Sequence, residues 1–281
     1  MGKLLFTIKG LSASAYSQRN DVYDVIASLG RFASCQLRFL CEKSFRFKWD
    51  NGITLKAIKG QHGTTECYYL GFYDYPEMNF LKQFLRSEDA FLDVGANVGT
   101  YSLLAASLGA EAHAFEPSQL EYDIAVEIGD LNPDLKDRIK YNNVAVGNKN
   151  KIVKMTTNLG STTNHVAEAV GLEEGYHEVR QIKLDDYTTS KPIRAMKIDV
   201  EDYEEFVLAG CSNMLQSRDL KVVVIEDFNG DESDSFSLMK KYGFQRYSYD
   251  VKRNSLVNID NQLGNNSIYI KDIEFVLGRI K

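Results

Sequence analysis

The sequence predicts an α/β protein: an open, mostly parallel sheet wound on both faces by helices, with a β-rich insertion and a small α+β extension at the N-terminus. Two observations carry this reading. From about residue 77 onward, short apolar runs alternate with amphipathic stretches of helical spacing, and continuous apolar strands are those that crossover helices bury on both faces. Before residue 66 the pattern differs and pairs one helical segment with one hairpin. The chain is therefore divided into an extension, 1–65, and a main domain, 66–281.

The elements follow in order. "NDVYDVIASLGRF" (20–32) has helical apolar spacing with Asn20 as N-cap. "FRFKWDNGITLKAI" (45–58) alternates apolar and polar residues around Asp50-Asn51-Gly52, a hairpin signal. Helix is expected at 78–85, strand at 90–94, and helix at 99–109 closed by Gly109. Strand 110–116, helix 118–131 and strand 138–146 continue the alternation. The insertion contributes strands at 151–157 and 177–184 around a Gly/Ser/Thr/Asn-rich loop. Strand 194–200, helix 203–215, strand 221–227 and helix 232–242 resume the pattern. Strands 244–251 and 266–271 follow without an intervening helix, which predicts an antiparallel addition at one sheet edge. In such sheets ligands bind beyond the carboxyl ends of the strands, directing attention to 93–101, 116–118, 143–147, 199–204 and 226–229.

Composition narrows the function. The 281 residues are 44% hydrophobic and 26% charged, with a net charge of −6, which argues against a nucleic-acid partner. No apolar run approaches the roughly 18–20 residues of a membrane span. The apolar patch in "MGKLLFTIKG" is too short for a secretory core. Four cysteines (35, 41, 67 and 211) have no metal-like spacing, so a reducing cytoplasm is expected.

"FLDVGANVGTYSLLAA" (91–106) carries the chemistry. A phosphate loop needs Gly-Lys-Ser/Thr, and no lysine stands between 83 and 136. A dinucleotide site needs G-x-G-x-x-G, whereas here only Gly95 and Gly99 are present, preceded by Asp93. An acid at the mouth repels a pyrophosphate but suits an ammonium and a sulfonium, the groups of S-adenosylmethionine. Gly95 and Gly99 would let the backbone pass close beneath that ligand, and Asp93 would accept hydrogen bonds from its methionine end. Glu116 ends the next strand, where an acid accepts from both ribose hydroxyls. Asn143, ending the third strand, is expected at the adenine.

In "AMKIDVEDYEEFVLAG" (195–210) an apolar strand runs into Lys197, Asp199, Glu201 and Glu204. Such clusters are costly unless paired or used. Helix-dipole placement explains Glu204 and Glu205 but not Lys197 and Asp199.

The pieces "DVGANVGTYSLLAA", "AFEPS", "NNVAVGN", "IKLDDY", "MKIDVEDYE" and "VVIED", in this order over roughly 66–230, resemble the FkbM family of S-adenosylmethionine-dependent methyltransferases. The resemblance implies a Rossmann-like, doubly wound class I methyltransferase sheet and methyl transfer, most often to a hydroxyl of a sugar or other small metabolite. By motif position it implies cofactor contacts at Asp93, Gly95, Asn97, Gly99 and Glu116. The family usually has glycine after "DVE", where this chain has Asp202, so the acceptor pocket is the part most open to difference. Residues 1–65 lie outside the resemblance.

Methyl transfer to oxygen is an in-line displacement that needs alignment and removal of one proton. Asp199 or Glu201 is the candidate base, with Lys197 holding the neighbouring carboxylate ionised or orienting the acceptor. A divalent metal held by Asp199, Glu201 and Asp227 is an alternative that is not favoured. Among the histidines, His113 reads as packed, and His62, His165 and His177 as surface residues. His165, in the loop 158–165, is the candidate base should a histidine serve. Tyr68, Tyr69, Tyr73 and Tyr75 are candidates to wall a site, since aromatic faces suit sugars and sulfonium alike. The acceptor is expected to be a small molecule or glycan, with a homodimer possible. An amine or carboxylate acceptor, and an inactive adaptor with the same fold, are the competing readings. An NAD-dependent enzyme lacks its third glycine and Tyr-x-x-x-Lys pair here. A nucleic-acid amine methyltransferase lacks its Asn/Asp-Pro-Pro stretch.

Overall fold

The computed structural model describes residues 22–156, 176–226, 234–259 and 266–280. The chain divides into two compact units between Pro76 and Glu77. In the first, helix α1 (Val22–Cys41) precedes strands β1 (Ser44–Lys48) and β2 (Thr54–Ile58), followed by helix α2 (Gly63–Leu70). The helix runs nine residues past its expected end because Phe32, Cys35 and Phe39 prolong the inward stripe. Asn20 lies outside the described residues. The antiparallel hairpin pairs Phe45 with Ala57 and Phe47 with Leu55. Its turn needs Asn51 and Gly52, at φ of 51° and 77°, as the sequence predicts. Because α2 packs on α1 and β2, the division falls after Pro76 and not after residue 65, which would cut through that helix. Tyr68 and Tyr69 are core residues of this unit: Tyr68 meets the rings of Phe45 and Phe47, and Tyr69 that of Phe32. Tyr73 packs against the same cluster.

Helix α3 (Tyr75–Phe84) leads into the second unit, whose elements are β3 (Ala90–Val94), α4 (Thr100–Ser107), β4 (Glu111–Phe115), α5 (Gln119–Asp130), α6 (Pro133–Lys136), β5 (Ile139–Asn142), β6 (Ala145–Val146), β7 (Lys151–Thr156) and β8 (Tyr176–Ile182). Then come β9 (Ile193–Ile198), α7 (Glu204–Ala209), α8 (Ser212–Gln216), β10 (Val222–Glu226), α9 (Asp234–Lys241), β11 (Gln245–Asp250), β12 (Ser255–Asn258), β13 (Asn266–Ile270) and α10 (Ile273–Arg279). Eight strands form one sheet in the order β12-β11-β13-β10-β9-β3-β4-β5. The five from β10 to β5 are parallel. Strands β3 and β4 are buried at every position, which is why they are mostly apolar, with Asp93, Glu111 and His113 as buried exceptions. Chain order reverses between β3 and β9, and the crevice beyond their carboxyl ends is the ligand position of such sheets.

Four details differ from the sequence reading. The expected strand 138–146 is two strands in different sheets: β5 stays beside β4, while β6 leaves to join a three-stranded sheet, β6-β8-β7. The expected helix 203–215 is broken at Gly210, where a Cβ would lie 2.0 Å from the Gly147 carbonyl oxygen. Helix α8 restarts because the Asp185 carboxylate accepts from the Asn213 and Met214 amides at 3.0–3.1 Å. The expected antiparallel addition at one edge is present beyond β10, but it holds a further strand, β12, and its order is β13, β11, β12. A closing helix, α10, follows β13. Among the described residues no helix is long and apolar enough to cross a membrane.

Candidate active site

The glycine loop and the end of β9 are in contact. Gly95 has φ of +77°, and a Cβ there would lie 1.7 Å from the Asp199 carbonyl oxygen. The Asp199 amide in turn donates to the Val94 carbonyl at 3.0 Å. The glycine is thus required by the approach of two chain segments, whereas the sequence reading assigns it to passage beneath a ligand. Gly99, also at +77°, starts α4, where a Cβ would stand 3.4 Å from that of Ala125. Between them Asn97 is left-handed at φ of 50°.

Asp93 is buried at the end of β3. Its Oδ2 accepts from the Ser102 amide at 3.0 Å and hydroxyl at 2.7 Å, capping the first turn of α4. Its Oδ1 is buried and has no hydrogen-bond partner among the described residues, an arrangement that is costly unless a ligand supplies the donor. Burial pushes the Asp93 carboxyl up, against the attraction of Lys197 and the Ser102 hydrogen bonds. Glu116, at the end of β4, accepts from the Asn97 amide through Oε2 and from the Ser118 amide through Oε1, both at 2.8 Å. Burial carries its carboxyl to about 7 even so. Asn143 directs its amide onto the Glu116 and Pro117 carbonyls at 3.0 and 3.2 Å, so it holds the loop that carries Glu116.

Lys197 pairs in register with Asp93 across β9 and β3. Its buried ammonium lies 2.5 Å from Asp199 Oδ2 and 4.9 Å from the centre of the Tyr101 ring. Val224 of β10 is its other neighbour, so two residues further along the same face Glu226 comes beside Asp199. Carboxylate oxygens of Asp199, Glu201 and Glu226 lie within 4.8 Å of one another. Burial acts to raise the Asp199 carboxyl, but the Lys197 charge and hydrogen bonds from Lys197 and Glu226 outweigh it and hold the group below its ordinary range. Glu226 moves the other way, raised by burial and by the Asp199 and Glu201 charges. Within the Asp199–Glu226 pair the proton is thus favoured on Glu226, with Lys197 and the Glu201 carboxyl beside them.

The turn after β9 is left-handed twice, at Glu201 (φ 51°) and Asp202 (φ 66°), and the Val200 amide donates to Glu204 Oε1 at 3.1 Å. A position at φ of 66° is where glycine fits without strain, and aspartate is among the residues that tolerate it. The structure thus brings together Asp93, Lys197, Asp199 and Glu201, with Gly95 against them and Glu116 joined through the Asn97 amide. Glu226 and Tyr101 are missed by the sequence reading. The signal for Glu226 is present in "VVVIE": a buried strand ending on an acid, one register step from Asp199. Asp227 and His165 lie outside the described residues. His113 is packed, as expected, with Nδ1 2.8 Å from the Tyr187 hydroxyl. Its Nε2 lies 2.8 Å from Glu111 Oε1, and burial pushes the imidazole pKa down against the Glu111 charge.

Strand order, the glycine loop with its acid and the charged β9 end define a Rossmann-like, doubly wound sheet of the class I methyltransferase kind. The family model for the methyltransferase FkbM domain matches residues 93–246, and the chain belongs to that family. The hexuronic acid methyltransferase AglP of Haloferax volcanii is 28% identical over 141 residues, covering 49% of this chain and 56% of that protein. The chain thus spans about half the length of the curated relative it matches. Among solved structures, the methyltransferase FkbM of Methylobacillus flagellatus KT aligns over 88% of this chain and 60% of its own, with 13% identity and a TM-score of 0.45. A TehB-like SAM-dependent methyltransferase of Corynebacterium glutamicum aligns over 70% and 88%, with 12% identity and a TM-score of 0.40.

Proposed function

We propose that this chain transfers a methyl group from S-adenosylmethionine to a sugar hydroxyl, in a glycan or a glycosylated small molecule. The observation that carries the reading is the buried, partnerless Asp93 Oδ1 beside the glycine loop, a built acceptor for the ammonium of a methionine end. Glu116 fits the ribose, since each of its oxygens takes one backbone amide and each retains acceptor capacity for a hydroxyl. Gly95, Asn97 and Gly99 shape the loop around the donor, and Asn143 borders the adenine. S-adenosylmethionine supplies an electrophilic methyl on a sulfonium; alignment and proton removal fall to the protein.

Asp199 takes the hydroxyl proton as the carbon–oxygen bond forms. Lys197, bound to Asp199 Oδ2 at 2.5 Å, keeps that carboxylate ionised and fixes its direction. Glu201 lines the same mouth. Because a lysine already neutralises Asp199, the proposal needs no metal ion at these acids, and turnover is expected to survive exhaustive chelation.

The sugar acceptor draws on the relative whose name is hexuronic acid methyltransferase. That same name favours a carboxylate acceptor as the second reading. A transfer assay against neutral sugars, hexuronic acids and their oligosaccharides tests both, with mass spectrometry of the product before and after mild alkali. A methyl ether survives alkali and supports the proposal. An alkali-labile methyl ester replaces the hydroxyl with the carboxylate, and no transfer to any member of the panel removes the sugar reading.

A further inference from the structure

Helix α1 has two apolar faces. One, through Phe32, Cys35 and Phe39, is buried in the first unit. The other runs Tyr23, Ile26, Gly30, Ala33, Leu37 and Leu40, a three-four spacing kept along the whole helix. Its four large side chains face solvent, Tyr23 at 83%, Ile26 at 62%, Leu37 at 66% and Leu40 at 78%. The helix has three charged residues, Asp24, Arg31 and Arg38, seven apart on a third stripe. Positions flanking the exposed stripe (Ala27, Leu29, Ser34 and Gln36) carry no charge. Apolar residues at heptad spacing are how one helix packs along another, and the uncharged flanks place no like charges across such a seam.

Gly30 adds an independent observation. Glycine is among the worst residues for a helix interior, and a Cβ at Gly30 would meet nothing within 4 Å. Nothing among the described residues therefore asks for glycine there, whereas a second helix crossing at Gly30 and Ala33 needs small residues for close approach.

The order of sizes along the stripe is large, large, small, small, large, large, the same read from either end. In an antiparallel pair about a two-fold axis, Tyr23 opposes Leu40 of the second copy, Ile26 opposes Leu37, and Gly30 opposes Ala33. A two-fold interface requires this self-complementarity. We propose that the exposed face of α1 is a homodimer interface in which two copies of this chain pack α1 antiparallel about an axis beside Arg31 and Phe32. Side chains of this size cover on the order of 150 Å² each, so the pair removes roughly 1,000 Å² of surface, the low end for specific interfaces. The dimer is therefore weak and concentration-dependent.

Sedimentation velocity on the full chain, from about 1 to about 200 µM, tests this. The wild type is expected to shift from monomer toward dimer across that range. Gly30→Leu is expected to stay monomeric, with a melting temperature equal to or above the wild type's because leucine is the better helix former. Orientation is read by oxidising Gly30→Cys/Ala33→Cys/Cys41→Ser. Residues three apart in one helix have Cβ atoms about 5–6 Å apart, too far for a disulfide, so a bridge reports on two copies. That variant is expected to lock as a covalent dimer, and Gly30→Cys/Cys41→Ser is not. A wild type monomeric throughout, or a dimer unaffected by Gly30→Leu, overturns the proposal. Covalent capture by the single cysteine overturns the antiparallel arrangement.

Discussion

Gly95→Ala tests the contact on which the site is built. The added methyl carbon would stand 1.7 Å from the Asp199 carbonyl oxygen, where ordinary contact begins at 3.4 Å. Overpacking of this kind costs about 1–3 kcal/mol. The left-handed conformation at φ of +77° adds about 1–2 kcal/mol for a residue with a Cβ. Gly243 separates the two costs, because it has φ of +83° in the same unit and nothing within 4 Å of its Cβ position. Gly243→Ala is therefore expected to lose about 1–2 kcal/mol and Gly95→Ala about 2–5 kcal/mol. At about 2–4 °C per kcal/mol for a domain of this size, the melting temperatures fall by roughly 2–8 °C and 4–20 °C. Thermal unfolding followed by circular dichroism measures both, and titration with S-adenosylhomocysteine reports whether Gly95→Ala also loses ligand uptake. Equal losses at the two positions would refute the argument that Asp199 is what makes glycine necessary at 95.

Asp199→Asn is expected to keep cofactor affinity within a few-fold while lowering kcat by roughly 10²–10⁴; unchanged turnover removes Asp199 as the base. Since Lys197 holds the Asp199 carboxyl below 3.8, the acid limb of the wild-type kcat profile attributable to this group should lie below that of an ordinary aspartate. Glu116 is raised from 4.5 to about 7 in the fold, so it contributes stability below pH 4.5 that is lost as pH rises through 7. Relative to Glu116→Gln, the wild type should lose about 3 kcal/mol between pH 4 and pH 8, read from urea midpoints; a constant difference sinks that assignment. Asp202→Gly relieves a left-handed aspartate worth about 1–2 kcal/mol against a glycine entropy cost of about 0.5–1 kcal/mol. A melting temperature raised by up to about 6 °C is expected, and a lowered one contradicts the strain.

How much of this was readable beforehand depended on whether the determinant is local. Strand β3 emerges at its predicted bounds because burial on both faces leaves a short apolar run that one acid, Asp93, interrupts. The turn at Asn51-Gly52 is legible because only left-handed positions favour that pair. Lys197 and Asp199 stand out since charge inside an apolar strand is costly wherever the strand lies. Pairing across the chain is another matter. That β13 inserts between β10 and β11, that β6 leaves the main sheet, and that Gly210 faces Gly147 all depend on segments distant in sequence. Glu226 belongs to the same class, because it is adjacent to Asp199 only once β10 is set beside β9 in register.

The account rests on the crevice between β3 and β9 accepting a positively charged methyl donor. Isothermal titration of the full chain with S-adenosylhomocysteine, and separately with NADH, measures this most directly. Stoichiometric uptake of the first and none of the second is the predicted result; uptake of NADH with none of S-adenosylhomocysteine would contradict it.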